Sequence, residues 1–147
     1  MAEIPFPQAD DFDKIIRIVN ISDEVKLMDF ELMGAYLDGI TDRQVSYYLS
    51  AAMYLGILDK NKKFTSLGNE IRKLNNYSRI IELIRILIAD EVIGKIYISQ
   101  KVLGVQYEKE DVAELIKEKY TQYSEPIYMR RAQTVLCWLE WIDKQFA

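Results

Sequence analysis

Histidine is missing altogether, and cysteine occurs once, at Cys137. The first absence removes the commonest general base and a favoured metal ligand. The second excludes an internal disulfide and suits a reducing, cytoplasmic compartment. Glycine (six) and proline (three) are scarce, which tilts a chain rich in Leu, Ile, Lys and Glu toward helix. No apolar run reaches the ~18–20 residues of a membrane helix. The longest candidate, Ile80 to Ile88, is interrupted by Glu82 and Arg85. The first 25 residues carry six acidic groups and no apolar run of signal-peptide length, so secretion is not expected. There is no Gly-rich phosphate loop, Cys/His cluster or Ser–His pairing. No cofactor, metal site or membrane partner is expected.

What is present is a chain of 147 residues, half of them hydrophobic and 29% charged, enough for one compact unit or two small ones. Net charge is −4, which weighs against indiscriminate nucleic-acid binding. Its distribution is uneven. Residues 1–40 hold nine acids and three bases, whereas residues 41–63 hold four bases and two acids. A basic island therefore sits on an acidic chain.

The spacing predicts mainly helices. Residues 1–9, with Pro5 and Pro7, read as a loose arm. Asp10 or Asp11 caps a helix carrying Phe12, Ile15, Ile16 and Val19. A second helix, Glu24 to Leu37, closes at Asp38-Gly39. Thr41, with Gln44 three residues on, starts a third as a capping box. Its stripe of Val45, Leu49, Ala52 and Leu55 faces a core. Gly56 ends it. Ile57-Leu58 and Phe64-Thr65 read as a hairpin around Asp59–Lys63, and Ser66 caps a helix to Leu74. Three helices followed by a hairpin is the order of a winged helix-turn-helix module, with the hairpin as wing. Tyr77 to Ala89 is apolar on nearly every side and reads as a helix buried between two layers. Asp90 to Val102, Glu110 to Tyr120, and Ser124 to about Lys144 read as further helices.

The last helix echoes the third. "MYLGILD" at Met53–Asp59 lines up with "CWLEWID" at Cys137–Asp143, an offset of 84 (137 − 53) that pairs Tyr47 with Arg131 and Ser50 with Thr134. The fold class expected is mainly α: tandem winged helix-turn-helix-like modules with one small β-hairpin wing. Residues 10–76 form the first module and 77–147 the second, its wing missing or truncated.

Two clusters carry the functional expectation. In the first, Thr41, Arg43, Gln44, Tyr47 and Ser50 lie on the outer face of the third helix, with Lys60, Lys62 and Lys63 in the following turn. Side chains near the start of a recognition helix reach base edges in the major groove. Arg pairs with guanine and Gln with adenine through two hydrogen bonds; Ser, Tyr and Lys suit phosphates. In the second, Arg130, Arg131, Gln133 and Thr134 stand near the start of the last helix. Taken singly, each piece fits a solvated helix face or a polar turn. As an ordered helix–hairpin unit they point to double-stranded DNA. Trp138, Trp141 and the ten tyrosines fit core packing better than base stacking. Asp10, Asp11 and Asp13, and Glu108, Glu110 and Asp111, fit solvated caps better than a metal or acid–base site. Cys137, without a histidine partner, reads as packed in its helix.

"RQVSYYLSAAMYLGIL" (Arg43–Leu58) followed by "KKFTSLG" (Lys62–Gly68) resembles winged-helix domains associated with bacterial type II restriction endonucleases. "LIADEVIGKIY" (Leu87–Tyr97) and "RRAQTVLCWLEWI" (Arg130–Ile142) resemble the same family's second half. The likeness spans most of residues 10–143. It implies sequence recognition by a domain that accompanies a nuclease domain, with Arg43, Gln44, Tyr47, Tyr48, Arg130, Arg131 and Thr134 as the carried-over positions; the helical stripe places Tyr48 in the core instead. No second wing and no catalytic domain are visible. The chain is expected to be a fragment of a longer protein or a stand-alone relative. The alternative expectation is a winged-helix protein-interaction or regulatory module, because the acidic balance suits a protein partner.

Overall fold

A computed structural model of the chain describes residues 4–146. Its α-helices are α1 (Phe12–Val19), α2 (Phe30–Tyr36), α3 (Asp42–Tyr54), α4 (Ser66–Lys73), α5 (Asn76–Ala89), α6 (Glu91–Leu103), α7 (Lys109–Lys119) and α8 (Glu125–Gln145). A 3-10 helix, Glu24–Met28, precedes α2. The chain divides into two compact units, one up to Arg79 and one from Ile80.

In the first unit α3 packs on both α1 and α2. Its starts are set by short acceptors at helix N-termini, where the first amides lack intrahelical partners. Asp11 accepts from the Asp13 amide, Asp29 from Leu32, and Thr65 from Gly68. Thr41 and Gln44 form the expected capping box. Val45, Leu49, Ala51 and Ala52 of α3 meet Phe12, Ile15, Ile18, Leu27, Met33 and Leu37 in the buried core.

Four expectations are corrected here. The described part of the arm is not loose: Phe6, Pro7 and Ala9 are buried, and the Phe6 ring meets Tyr54 edge-on at 5.3 Å. Residues 1–3 of that arm lie outside the described residues. The segment Glu24–Leu37 is not one helix, because Asp29 takes an extended backbone (φ −105°, ψ 101°) and its carboxylate restarts the chain as α2. The β-hairpin wing does not form: among the described residues there is no strand, only a single bridge between Leu58 and Phe64. The turn closes on itself instead, with Asp59 Oδ1 accepting from the amides of Asn61 (2.8 Å) and Lys63 (3.1 Å). The helix Tyr77–Ala89 is not sandwiched between layers. Only Leu83 and Leu87 of α5 are buried, and Ile81 is exposed.

In the second unit α8 packs on α7 and α6. Asp90 caps α6 by accepting from Val92 and Ile93, and Gly104, left-handed at φ +66°, ends it. Glu108 and Asp111 form a capping box at α7. The core is Val92, Ile93, Ile96, Val112, Ile116, Tyr128, Val135, Trp138 and Ile142. Each unit thus repeats one plan: a helix, then a pair joined by a short turn, the last of which packs on the other two.

The burial patterns of α3 and α8 correspond, but at an offset one residue away from that of the sequence echo. The buried positions of α3 and its cap, Val45, Tyr48, Leu49, Ala51, Ala52 and Leu55, match Tyr128, Arg131, Ala132, Thr134, Val135 and Trp138 of α8. That is an offset of 83 (128 − 45), and it also pairs the N-caps Thr41 and Ser124. One residue is about 100° around a helix, so the offset of 84 assigns the wrong faces.

Candidate nucleic-acid interface

The start of α3 carries the first cluster. Arg43 is exposed; its Nε donates to the Tyr47 hydroxyl at 2.9 Å and its guanidinium lies 5.6 Å from that ring. This i, i+4 contact holds the arginine along the helix and leaves it without a carboxylate partner. Thr41 and Gln44 are committed locally. The Thr41 amide donates to Gln44 Oε1 at 3.1 Å, and the Gln44 amide donates to Thr41 Oγ1 at 3.2 Å. Ser50 is half-buried. Tyr48 lies in the core, as the stripe requires, and its hydroxyl accepts from the Asp11 amide at 3.0 Å. Burial pushes that phenol above its ordinary value.

The lysine turn folds back on the first unit. Lys62, at φ +61°, places its Nζ 4.2 Å from the centre of the Phe30 ring. Lys63 pairs with Glu24 at 3.9 Å, and the other oxygen of Glu24 accepts from the Phe64 amide at 3.2 Å. Lys60 is exposed. The turn therefore sits against an acid and a ring from the preceding helices.

The second cluster does not form one surface. Arg130 is exposed. Arg131 is only 8% exposed and Thr134 is fully buried, which corrects their reading as solvent-facing contacts. The Arg131 guanidinium stacks 4.1 Å from the Tyr123 ring, while its Nε and Nη1 find no acceptor among the described residues. Tyr123 in turn meets Tyr120 and Tyr128, and Tyr128 donates to the Tyr120 carbonyl. Gln133 is half-buried and donates to Cys137 Sγ at 3.3 Å.

Elsewhere, exposed ion pairs dominate. Arg17 binds Asp38 at 2.6 Å and exchanges hydrogen bonds with Tyr36, through the Tyr36 carbonyl at 3.2 Å and from the Tyr36 hydroxyl at 2.8 Å. The Arg17 hydrogen bond holds the Asp38 carboxyl below its ordinary value. Lys119 does the same to Glu91 at 2.9 Å. Among the described residues, no three of His, Cys, Asp and Glu come together as metal ligands. Among those residues, too, no helix is long and apolar enough to cross a membrane. Sequence reading missed one basic cluster, Arg72, Lys73 and Arg79, whose members converge on a cleft with Asn20 and Asn69. Their signal was faint: three bases near helix ends, with acids at i ± 3 or i ± 4 only in Glu70 to Lys73 and Glu82 to Arg79.

These features describe a mainly helical protein of two compact units, with an exposed arginine at the start of α3. The chain belongs to the family described as a domain of unknown function (DUF7226), whose model matches residues 14–147. No curated protein and no solved structure matches it.

Proposed function

We propose that the chain binds double-stranded DNA, as a recognition module of the helix-turn-helix kind that accompanies a nuclease domain. The observation that carries this reading is Arg43. It is exposed beside Tyr47 in the first turns of α3, the second helix of a helix–turn–helix, and among the described residues no carboxylate pairs with it. A guanidinium there suits a guanine edge or a phosphate. Lys60, Lys63 and Arg130 are the other exposed cations of the two clusters, and Lys63 already pairs with Glu24. Thr41, Gln44, Arg131 and Thr134 support the helices rather than the contact.

With so few cations, binding should be weak and its salt dependence shallow. Each neutralised phosphate contributes about −0.9 to the slope of log K against log salt, so a slope of about −2 to −3 is expected. Fluorescence anisotropy with a labelled random-sequence duplex reads this. Arg43→Ala should flatten the slope by about one while the helical circular dichroism stays unchanged. A slope near zero, or an Arg43→Ala protein that binds as before, overturns the reading.

A second reading, a protein-interaction module, draws on Ile98, Val102, Leu103 and Val105 at the end of α6, which are all exposed. Apolar association would respond little to salt, so the same titration separates the two.

A further inference from the structure

The cleft lined by Val19, Asn20, Asn69, Arg72, Lys73 and Arg79 measures about 370 Å³. It lies where α1 and α4 end and α5 begins. Helix C-termini expose carbonyls, and two arginines answer them. Arg72 Nη1 donates to the Val19 carbonyl at 2.7 Å. Arg79 donates from Nε to the Ile71 carbonyl at 3.2 Å, and from Nη2 to those of Arg72 (2.8 Å) and Leu74 (3.2 Å). Its Nη1 donates to Asn20 Oδ1.

Capping explains why guanidinium groups are here, but not how many charges are. Two helix C-termini amount to about one negative charge. Three cations line the cleft, no carboxylate does, and among the described residues none of the three forms an ion pair. On a chain of net charge −4, this is a concentrated positive surplus.

The free hydrogen-bonding groups are donors. Arg72 is held flat, its guanidinium 4.2 Å from the Phe64 ring. Only its Nη1 is bonded, so the Nε/Nη2 edge remains; that edge is the side-on fork that accepts two oxygens of one oxyanion. Asn20 spends its carbonyl on Arg79 and keeps its NH2. Lys73 and Asn69 are exposed and add ammonium and amide donors.

We propose that this cleft binds a phosphate dianion, free or as the terminal group of a small ester. Its volume falls in the small-ligand range, roughly 300–1,000 Å³, and exceeds what one phosphate fills. None of its lining residues belongs to the proposed DNA contact, so the two readings stand or fall separately.

Isothermal titration calorimetry of the whole chain tests it, with inorganic phosphate and ribose 5-phosphate as probes and potassium chloride at matched ionic strength as control. Saturable binding of either probe is expected. Tighter binding of the ester assigns the cleft to a small phosphate ester, and equal or tighter binding of inorganic phosphate assigns it to the free ion. Lys73→Gln, which removes an exposed ammonium from the lining, should weaken binding about fivefold. Arg72→Lys, which keeps the charge and loses the fork, should weaken it about tenfold. Circular dichroism checks that both variants remain folded. No saturable binding, or equal weakening by Arg43→Ala, overturns the proposal. Displacement of ribose 5-phosphate by duplex DNA also overturns it, because the occupant would then be a backbone phosphate.

Discussion

The two units solve one packing problem with different materials. Where α3 of the first unit buries Tyr48, Leu49, Ala51 and Ala52, α8 of the second buries Arg131, Ala132, Thr134 and Val135. The tyrosine brings a hydroxyl that accepts one amide. The arginine brings a charge with two nitrogens unanswered among the described residues. The long helices also end differently. Gly56, at φ +78°, stops the chain just after α3, whereas α8 runs on to Gln145. Correspondence between the units lies in burial, since the most similar heptapeptides align one residue out of step with it.

The sharpest way to break the comparison is steric, with one glycine in each unit. A Cβ at Gly68 would lie 2.2 Å from the Ile57 carbonyl oxygen, and one at Gly94 would lie 1.9 Å from that of Ile88. Backbone cannot yield as a side chain does. Gly68→Ala and Gly94→Ala should each cost about 4 kcal/mol, read by urea unfolding. Tryptophan emission reports the second change locally, because Trp138 and Trp141 both lie in the second unit. A midpoint shift of only a few tenths molar in either variant would show that the helices do not meet where described.

Next comes the exchange at the matched position. Tyr48→Arg buries a charge and removes the acceptor of the Asp11 amide, and should cost about 3 kcal/mol. Arg131→Met replaces an unanswered buried cation with an apolar chain of similar length and should gain about 1 kcal/mol. If Arg131→Met instead loses stability, the cation–aromatic stack on Tyr123 outweighs the desolvation of the guanidinium, and the offset of 83 no longer predicts energetics.

The smallest effects concern acid. Asp38 in the first unit and Glu91 in the second sit below their ordinary values of 3.8 and 4.5, chiefly through hydrogen bonds from Arg17 and Lys119. A depressed carboxyl stabilises the fold fully above its ordinary value, and that contribution is lost as pH falls through the depressed one. Stability should therefore fall below about pH 4.5 for Glu91 and below about pH 3.8 for Asp38. Lys119→Met and Arg17→Met should each flatten their own part of a stability–pH curve. Both carboxylates are exposed, so the changes are minor. An unchanged curve in both variants would mean that the pairs do not persist in solution.

Much of this architecture was legible because its signals are local. Asp11, Thr41 and Ser124 mark helix starts within a turn of the residues they serve, and Gly56 marks a stop. Glu24–Leu37 was misread because Asp29 is a poor clue to a mid-segment restart when apolar residues flank it on both sides. The wing was misread because Ile57-Leu58 and Phe64-Thr65 look like strands, while the Asp59 side chain and Glu24 satisfy amides that a ladder would have used. Arg131 was misread through a one-residue slip, which turns a surface position into a core one.

A mainly helical chain, its caps and the exposed Arg43 at the head of α3 were readable from the sequence, because these follow from hydrogen bonds and periodicity within a few residues. Only the tertiary structure decided that Arg131 is inside, that Lys62 and Lys63 lean on Phe30 and Glu24, and that Asn20, Arg72 and Arg79 share one cleft. Those outcomes depend on which segments meet across tens of residues, and on rotations of about 100° per position, which local patterns do not encode.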